Sequence, residues 1–273
     1  MDVQYILLNT LIYGIIALVI ANFFSFGKML NMSIGGFMVM GWYIMYNILV
    51  HGISIQMLII VIWYSMLFFI INRAIFKYFP HDKQKDHVGV LATLGISIVL
   101  ENLTNYLYGP NSINLNILSF DRQILLVLFI VLFWLLYYIF KHTLLGAMLR
   151  GIEENSKTIK SLGIKTNTIL QFLFGWMIVL LLVAAFIVLN ETNLRSSDGM
   201  FYLIKWIWIM ILVGISKKEY ILFGALLYVV MEYLLFIQLG LPISYKETFI
   251  LIVIVSILLF KPEWLFTFKK RKI

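Results

Sequence analysis

Cysteine is absent from the 273 residues, and charged residues make up only 12% of them. The first absence excludes disulfide bonds and thiolate-ligated metal sites. The second excludes an ordinary soluble domain, in which roughly 25% of residues are charged. Instead, 62% of the residues are hydrophobic and the mean hydropathy is +0.97. Apolar runs recur along the chain, and each is long enough to cross a hydrocarbon core about 30 Å thick. The composition therefore predicts an all-α polytopic membrane protein.

Individual apolar runs give the predicted transmembrane helices. They lie at residues 5–24, 30–50, 54–76, 88–108, 121–140, 167–189, 201–215, 220–239 and 247–261. Three glycines in 30–50 favour a broken or re-entrant helix there, and 201–215 is short and contains Lys205, so it is not expected to cross alone. We therefore predict eight to ten spans in a single transmembrane domain, residues 1–273. No basic residue precedes 5–24, as a secretory signal would require, so this run is predicted to be a retained span.

The distribution of lysine and arginine predicts the orientation. With residues 141–166 placed in the cytoplasm, seventeen of the 21 basic residues fall on the cytoplasmic side. The other four are Arg122, Arg195, Lys205 and Lys246. Because basic residues accumulate in cytoplasmic loops, the N-terminus is predicted outside and the C-terminus inside. The net charge of +8 is thereby explained by topology, and no nucleic-acid binding is expected.

Few residues are suited to catalysis or metal binding. The four histidines lie in or near predicted loops, without a cluster of carboxylates beside them. No compact group of Asp, His and Ser is found that would serve a membrane enzyme. We therefore predict no catalytic residue and no metal site.

The stretch "GIEENSKT", residues 151–158, resembles the phosphate-binding pattern G-x-x-x-x-G-K-[ST], except that Ser156 replaces the second glycine. Such a loop needs its glycines so that backbone N–H groups face the anion, between a strand and a helix. Here the preceding "HTLLGAMLR" continues a helix. The stretch is therefore predicted not to bind nucleotide.

The same stretch fits a short helical hairpin at about 141–166. Asn155 suits the N-cap of a short helix, and Gly163 fits just past its end. Apolar residues recur at helical spacing, at Leu145, Leu149, Ile152, Ile159 and Leu162. The stripe has two interpretations. It is a docking element for a cytosolic partner, or it is a linker that lies on lipid headgroups.

Polar residues inside the apolar runs are candidates for a translocation pathway. An acidic group at depth costs about 2.5–3.5 kcal/mol by insertion scales, so Glu101 and Glu232 should face a partner or a wet cavity. Small residues let helices approach closely, and a helix broken near the midplane exposes backbone groups to a substrate. The alternative for the glutamates is that their carboxyl groups are hydrogen-bonded between helices. The alternative for the small residues is that they serve close helix packing without contact to a solute. The candidates are Asn31, Ser33, Gly35, Gly36, Glu101, Asn102 and Glu232.

Several motifs together resemble one family. The run "GAMLRGIEENSKTIKSLGIKTN", residues 146–167, resembles the cytoplasmic coupling segment of branched-chain amino acid ABC permeases of the LivH/LivM type. "NTLIYGIIAL", "NMSIGGFMVMGWY", "LATLGISIVLENLTNYLYGP", "FGALLYVVMEYLL" and "LLFKPEWLF" are similar to other spans of that family, in the same order. The sequence departs from the family pattern at Ile34, where histidine is common, at Ala185-Phe186 and at Ser156. A sugar, a nucleoside or another amino acid therefore stays open as the substrate.

The resemblance implies an ABC importer permease without catalysis or cofactor of its own, in the bacterial cytoplasmic (inner) membrane. It implies two ATPase subunits that carry ATP and magnesium, a second permease subunit, an extracytoplasmic substrate-binding protein and surrounding lipid. The coupling residues would be Leu149, Arg150, Gly151, Ile152, Glu153, Asn155, Ile159, Leu162, Gly163 and Ile164. A stand-alone secondary transporter or channel is the alternative function.

Overall fold

The computed structural model describes residues 3–27, 30–78, 86–113, 127, 130–131, 134–135, 138–139, 141–191, 193–213, 220–238, 240 and 245–260. Its long helices are α1 (Val3–Gly27), α2 (Ser33–His51), α3 (Ile55–Tyr78), α4 (Asp86–Tyr108), α5 (Leu144–Ser161), α6 (Thr166–Glu191), α7 (Gly199–Val213), α8 (Ile221–Tyr233) and α9 (Lys246–Phe260). A π-helical turn, Leu234–Gln238, continues α8. Within these described ranges, extended pairing is limited to an isolated bridge between Ile113 and Leu194.

The predicted all-α fold is confirmed. Four of the described helices are long and apolar enough to cross a membrane, over Ile6–Ser25, Ser33–His51, Ile55–Ile75 and His87–Tyr108. Helix α7 has 15 residues, which corresponds to a length of about 22 Å. Residues 214–219 lie outside the described residues, so whether 201–215 crosses alone stays a prediction. The predicted span 121–140 lies largely outside the described residues.

The helix break that the three glycines of 30–50 predicted is not found, and that prediction was wrong. Residues 30–32 are not helical, whereas α2 runs without interruption through Gly35, Gly36 and Gly41. The physical reason is that these glycines serve close packing of an intact helix. A Cβ on Gly36 would stand 2.7 Å from the backbone oxygen of Ser97 on α4, so only glycine lets the two helices approach this closely.

The chain divides into two compact units, and the single domain predicted for 1–273 stays a prediction. One unit comprises Met1–Ala21 and Ile204–Ile273, and the other comprises Asn22–Leu203. In the first, Tyr13 meets Tyr228 edge to face, with ring centroids 5.8 Å apart. In the second, α2 packs against α3, α4 and α6, and Phe37 lies 4.8 Å from Phe68, again edge to face. The second unit contains most of the predicted site residues.

The membrane-length helices differ in how far the chain covers them. The apolar window of α1 is 89% buried and that of α2 is 67% buried, against 17% for α3 and 28% for α4. Lipid chains are as apolar as leucine, so an uncovered apolar helix surface is stable in a bilayer. Most of the apolar window is therefore covered by the chain itself in α1 and α2, and left uncovered by it in α3 and α4.

Candidate functional site

The predicted coupling segment is the kinked helix α5. Thr143 caps its beginning, since the Thr143 hydroxyl oxygen accepts a hydrogen bond from the Gly146 N–H at 3.2 Å. Asn155 interrupts it with a non-helical backbone, at φ −154° and ψ 93°. The Asn155 side-chain oxygen accepts from the Thr158 N–H at 3.3 Å, as an N-cap does. The predicted cap at Asn155 is therefore confirmed.

The end of α5 also follows the prediction. Gly163 has φ +78°, a left-handed conformation in which glycine is favoured. Its N–H donates to the Lys160 carbonyl oxygen at 3.0 Å. Ile159, beyond the kink, turns back toward the first arm, because a Cβ on Gly151 would stand 2.6 Å from Ile159 Cδ1. The segment is thus two short helical arms that meet at a kink at Asn155, and its role as a cytoplasmic coupling hairpin stays a prediction.

The apolar stripe of this hairpin does not lie on one free surface. Leu149 and Ile152 are buried, with 6% and 7% of their surface exposed, whereas Leu162 is 68% exposed. Helix α5 packs against α6, so the inner part of the stripe fixes the hairpin to its own chain. Any docking surface here must be built from exposed side chains, which include Leu144, Leu145, Arg150, Glu154, Thr158, Lys160 and Leu162.

A buried polar network surrounds the start of α2. Asn31 donates through Nδ2 to Asn72 Oδ1 at 2.8 Å, and its own Oδ1 accepts from the N–H of Ser33 at 3.1 Å. The Met32 N–H donates to Thr93 Oγ1 at 3.1 Å. Two of these bonds satisfy N–H groups at the beginning of α2, which have no partner within the helix itself. The network joins the start of α2 to α3 and α4.

A second polar cluster lies one turn further along α2. The Gly36 N–H donates to Ser97 Oγ at 2.8 Å, and Ser97 Oγ lies 3.4 Å from Glu101 Oε1. The backbone of Gly199 and Met200, in the first turn of α7, lies beside the Glu101 carboxylate. A Cβ on Gly199 would stand 2.6 Å from both Glu101 Oε1 and the Gly35 carbonyl oxygen. The cluster therefore brings α2, α4 and the beginning of α7 into contact.

Comparison with known proteins shows the family to which this chain, with its two polar clusters, belongs. The family described as "Branched-chain amino acid transport system / permease component" matches residues 3–258. The chain belongs to this family. It is accordingly an ABC transporter permease subunit and a multi-pass membrane protein. A search of curated proteins finds no match. The solved structure "PsaBC from Streptococcus pneumoniae in complex with Fab" aligns with 94% of this chain and 89% of its own, at 13% identity and a TM-score of 0.48.

The permease brings together five of the seven predicted pathway residues. Asn31, Ser33, Gly35 and Gly36 lie in the two clusters and are buried, and Glu101 is half-buried beside them. Asn102 is exposed, and its Nδ2 donates to the Ile98 carbonyl oxygen of its own helix at 2.8 Å. Glu232 is buried in the other compact unit. Contact of any of them with a transported solute stays a prediction.

The permease also uses polar residues that sequence reasoning missed. Asn72, Thr93 and Ser97 each have 1% of their surface exposed or less. A signal was available for Asn72, which is an isolated amide near the end of a long apolar run. Ser97 stands four residues before Glu101, and this spacing places both on one face of α4. Among the residues that the structure describes, no group of three metal-binding side chains occurs.

Proposed function

We propose that this permease imports branched-chain amino acids, as a LivH/LivM-type subunit, and that α5 couples it to two separate ATPase subunits. A second permease subunit would complete the pathway, and an extracytoplasmic binding protein would deliver the substrate. The observation that carries the proposal is the family match over residues 3–258. The bacterial cytoplasmic membrane is the proposed location, with α5 on the cytoplasmic side.

The shape of α5 supports the coupling role. An element that transmits force must be rigid and must be fixed to the membrane part. The kink is capped by Asn155, and the first arm is anchored by the buried Leu149 and Ile152. The far end carries two exposed residues, the charged Lys160 and the apolar Leu162. Such a mixed surface is typical of a protein-docking contact.

The substrate is tested in proteoliposomes that contain the permease with its ATPase subunits and binding protein. We expect ATP-dependent uptake of radiolabelled leucine, isoleucine or valine. Uptake of only a sugar or a nucleoside would refute the substrate class and leave the import mechanism intact. Uptake driven by an ion gradient without any ATPase would favour a secondary transporter.

The coupling surface is tested with three substitutions to aspartate. Leu162→Asp should abolish copurification of the ATPase subunits while membrane insertion persists, because Leu162 is exposed at the end of the hairpin. Ile53→Asp is the matched control: Ile53 is 79% exposed in the connection between α2 and α3. Ile152→Asp should instead lower the melting temperature, since it buries a charge. Normal complex formation by Leu162→Asp would exclude this docking surface.

A further inference from the structure

Two charged side chains are buried within the part of the chain that the structure describes, and they have opposite signs. Lys205 of α7 is 5% exposed and Glu232 of α8 is 6% exposed. Lysine and glutamate are almost never fully buried in a protein unless they are paired. Both residues belong to the compact unit formed by Met1–Ala21 and Ile204–Ile273. Each is therefore a candidate partner for the other.

Helices α7 and α8 pack closely at Gly224. A Cβ on Gly224 would stand 3.2 Å from the Ile209 carbonyl oxygen, and it would overlap the Val213 side chain. The two helices are separated in sequence by residues 214–220, and a connection this short joins antiparallel neighbours. The contact at Gly224 thus fixes which residues of α7 and α8 lie at the same level along their axes.

This register brings Lys205 and Glu232 to nearly the same level. On α7 the middle of the contact lies between Ile209 and Val213, about 9 Å along the helix from Lys205. On α8 Glu232 lies eight residues beyond Gly224, about 12 Å in the same direction, because the helices are antiparallel. The remaining difference of about 3 Å is small against the combined length of a lysine and a glutamate side chain.

Helical spacing also places both residues on the sides of α7 and α8 that meet. Lys205 lies four residues before Ile209, and Glu232 lies four residues after Tyr228, which itself follows Gly224 by four. Residues four apart are neighbours on one side of a helix. Tyr228 is 1% exposed, so this side of α8 is covered from Gly224 to Glu232. The two buried charges therefore lie on facing sides of adjacent helices.

We infer that Lys205 and Glu232 form a buried charge pair that joins α7 to α8. An isolated charge is costly in an apolar interior, and charged residues of membrane helices pair with one another. The pair explains why Lys205 is among the four basic residues outside the predicted cytoplasmic segments, since it serves a contact between helices. It also assigns Glu232 to helix packing and not to the translocation pathway. The inference goes beyond the transport function and is independent of the substrate.

The pair is tested by removing its members singly and together. Loss of one partner leaves an uncompensated buried charge and is strongly destabilising, whereas replacing both partners by apolar residues of similar size is often neutral. Lys205→Met and Glu232→Met in the full-length permease should each lower the melting temperature in detergent by roughly 10 °C. The double variant K205M/E232M should melt above both single variants and close to wild type.

The exchanged variant K205E/E232K keeps the test decisive if the single variants do not fold. It retains one charge of each sign and reverses their positions, so it should elute as monodisperse protein, whereas Lys205→Glu and Glu232→Lys each place like charges together and should not. Failure of both K205M/E232M and K205E/E232K to restore monodisperse protein would overturn the pair.

The matched control removes the same lysine together with a different glutamate. Glu101 lies in α4, with the Ser97 hydroxyl 3.4 Å from its Oε1, so K205M/E101Q should melt no higher than Lys205→Met. Equal recovery in K205M/E101Q and K205M/E232M would show a general effect of charge and contradict the pair. A wild-type melting temperature in either single methionine variant, or additive losses in K205M/E232M, would contradict it as well.

Discussion

Gly36 shows how a single residue type sets a helix–helix distance in this permease. Its Cα faces the backbone of Ser97, and an added Cβ would lie 2.7 Å from Ser97 O and 2.9 Å from Ser97 Cα. A backbone neighbour cannot rotate away as a side chain can. In a bilayer, where no hydrophobic force drives helices together, such close contacts hold them in register.

Gly36→Ala should therefore destabilise the permease by about 1–3 kcal/mol, the usual cost of overpacking. The matched control is Gly95→Ala on α4, where nothing lies within 4 Å of the added carbon. That change should be neutral or stabilising, because alanine favours a helix over glycine. Thermal unfolding of the two variants in the same detergent measures the difference. Equal melting temperatures would show that α2 and α4 separate without cost.

The amide pair Asn31–Asn72 offers a second residue-level test. Both side chains are buried, with 4% and 0% of their surface exposed, and they share a 2.8 Å hydrogen bond. A double-mutant cycle with Asn31→Ala and Asn72→Ala should give a coupling energy of about 0.6–1.7 kcal/mol, the range measured between membrane helices. Additive losses of stability would mean that the bond contributes nothing beyond the two separate side chains.

At the scale of the element, the hairpin was predictable because its signals are local. The cap at Asn155 and the glycine past the helix end depend on residues within a few positions of each other. Which face of the hairpin is free was not predictable. Leu149 and Leu162 are equally apolar in sequence, yet Leu149 is 6% exposed and Leu162 is 68% exposed. Helical periodicity in the sequence shows which residues form an apolar stripe, but it does not show which part of the protein packs against that stripe.

The Asn155 cap can be tested directly. Asn155→Ala should lower the hydrogen-exchange protection of the Thr158 amide about fivefold, since losing an N-cap costs about 1 kcal/mol. It should also weaken ATPase coupling, because alanine favours a continuous helix that would carry Ile159 away from Gly151. Asn155→Asp keeps an acceptor at the same place and should behave as wild type. Equal protection in all three proteins would mean that packing alone holds the kink.

At the scale of the whole molecule, hydropathy located the helices but not their places within the permease. The windows of α1 and α3 have nearly the same mean hydropathy, 2.2 and 2.1, yet 89% of one and 17% of the other is buried. Lipid and protein interior are equally apolar, so hydropathy cannot separate them. The distinguishing residues are small or polar. Helix α1 buries the polar residues Asn9, Thr10, Asn22 and Ser25, whereas the buried polar residue in α3 is Asn72, near its end.

Orientation is a property of the whole chain, and the absence of cysteine makes it measurable. Ile53→Cys and Leu162→Cys introduce single thiols at side chains that are 79% and 68% exposed, so in cells that express the permease without its ATPase subunits burial cannot explain a difference between them. With the N-terminus outside, a membrane-impermeant maleimide should label Ile53→Cys on intact cells and Leu162→Cys only after permeabilisation. The positive-inside distribution of lysine and arginine requires this pattern. The reverse pattern would place α5 outside the cell, where no ATPase reaches it, and the coupling role would fail with it.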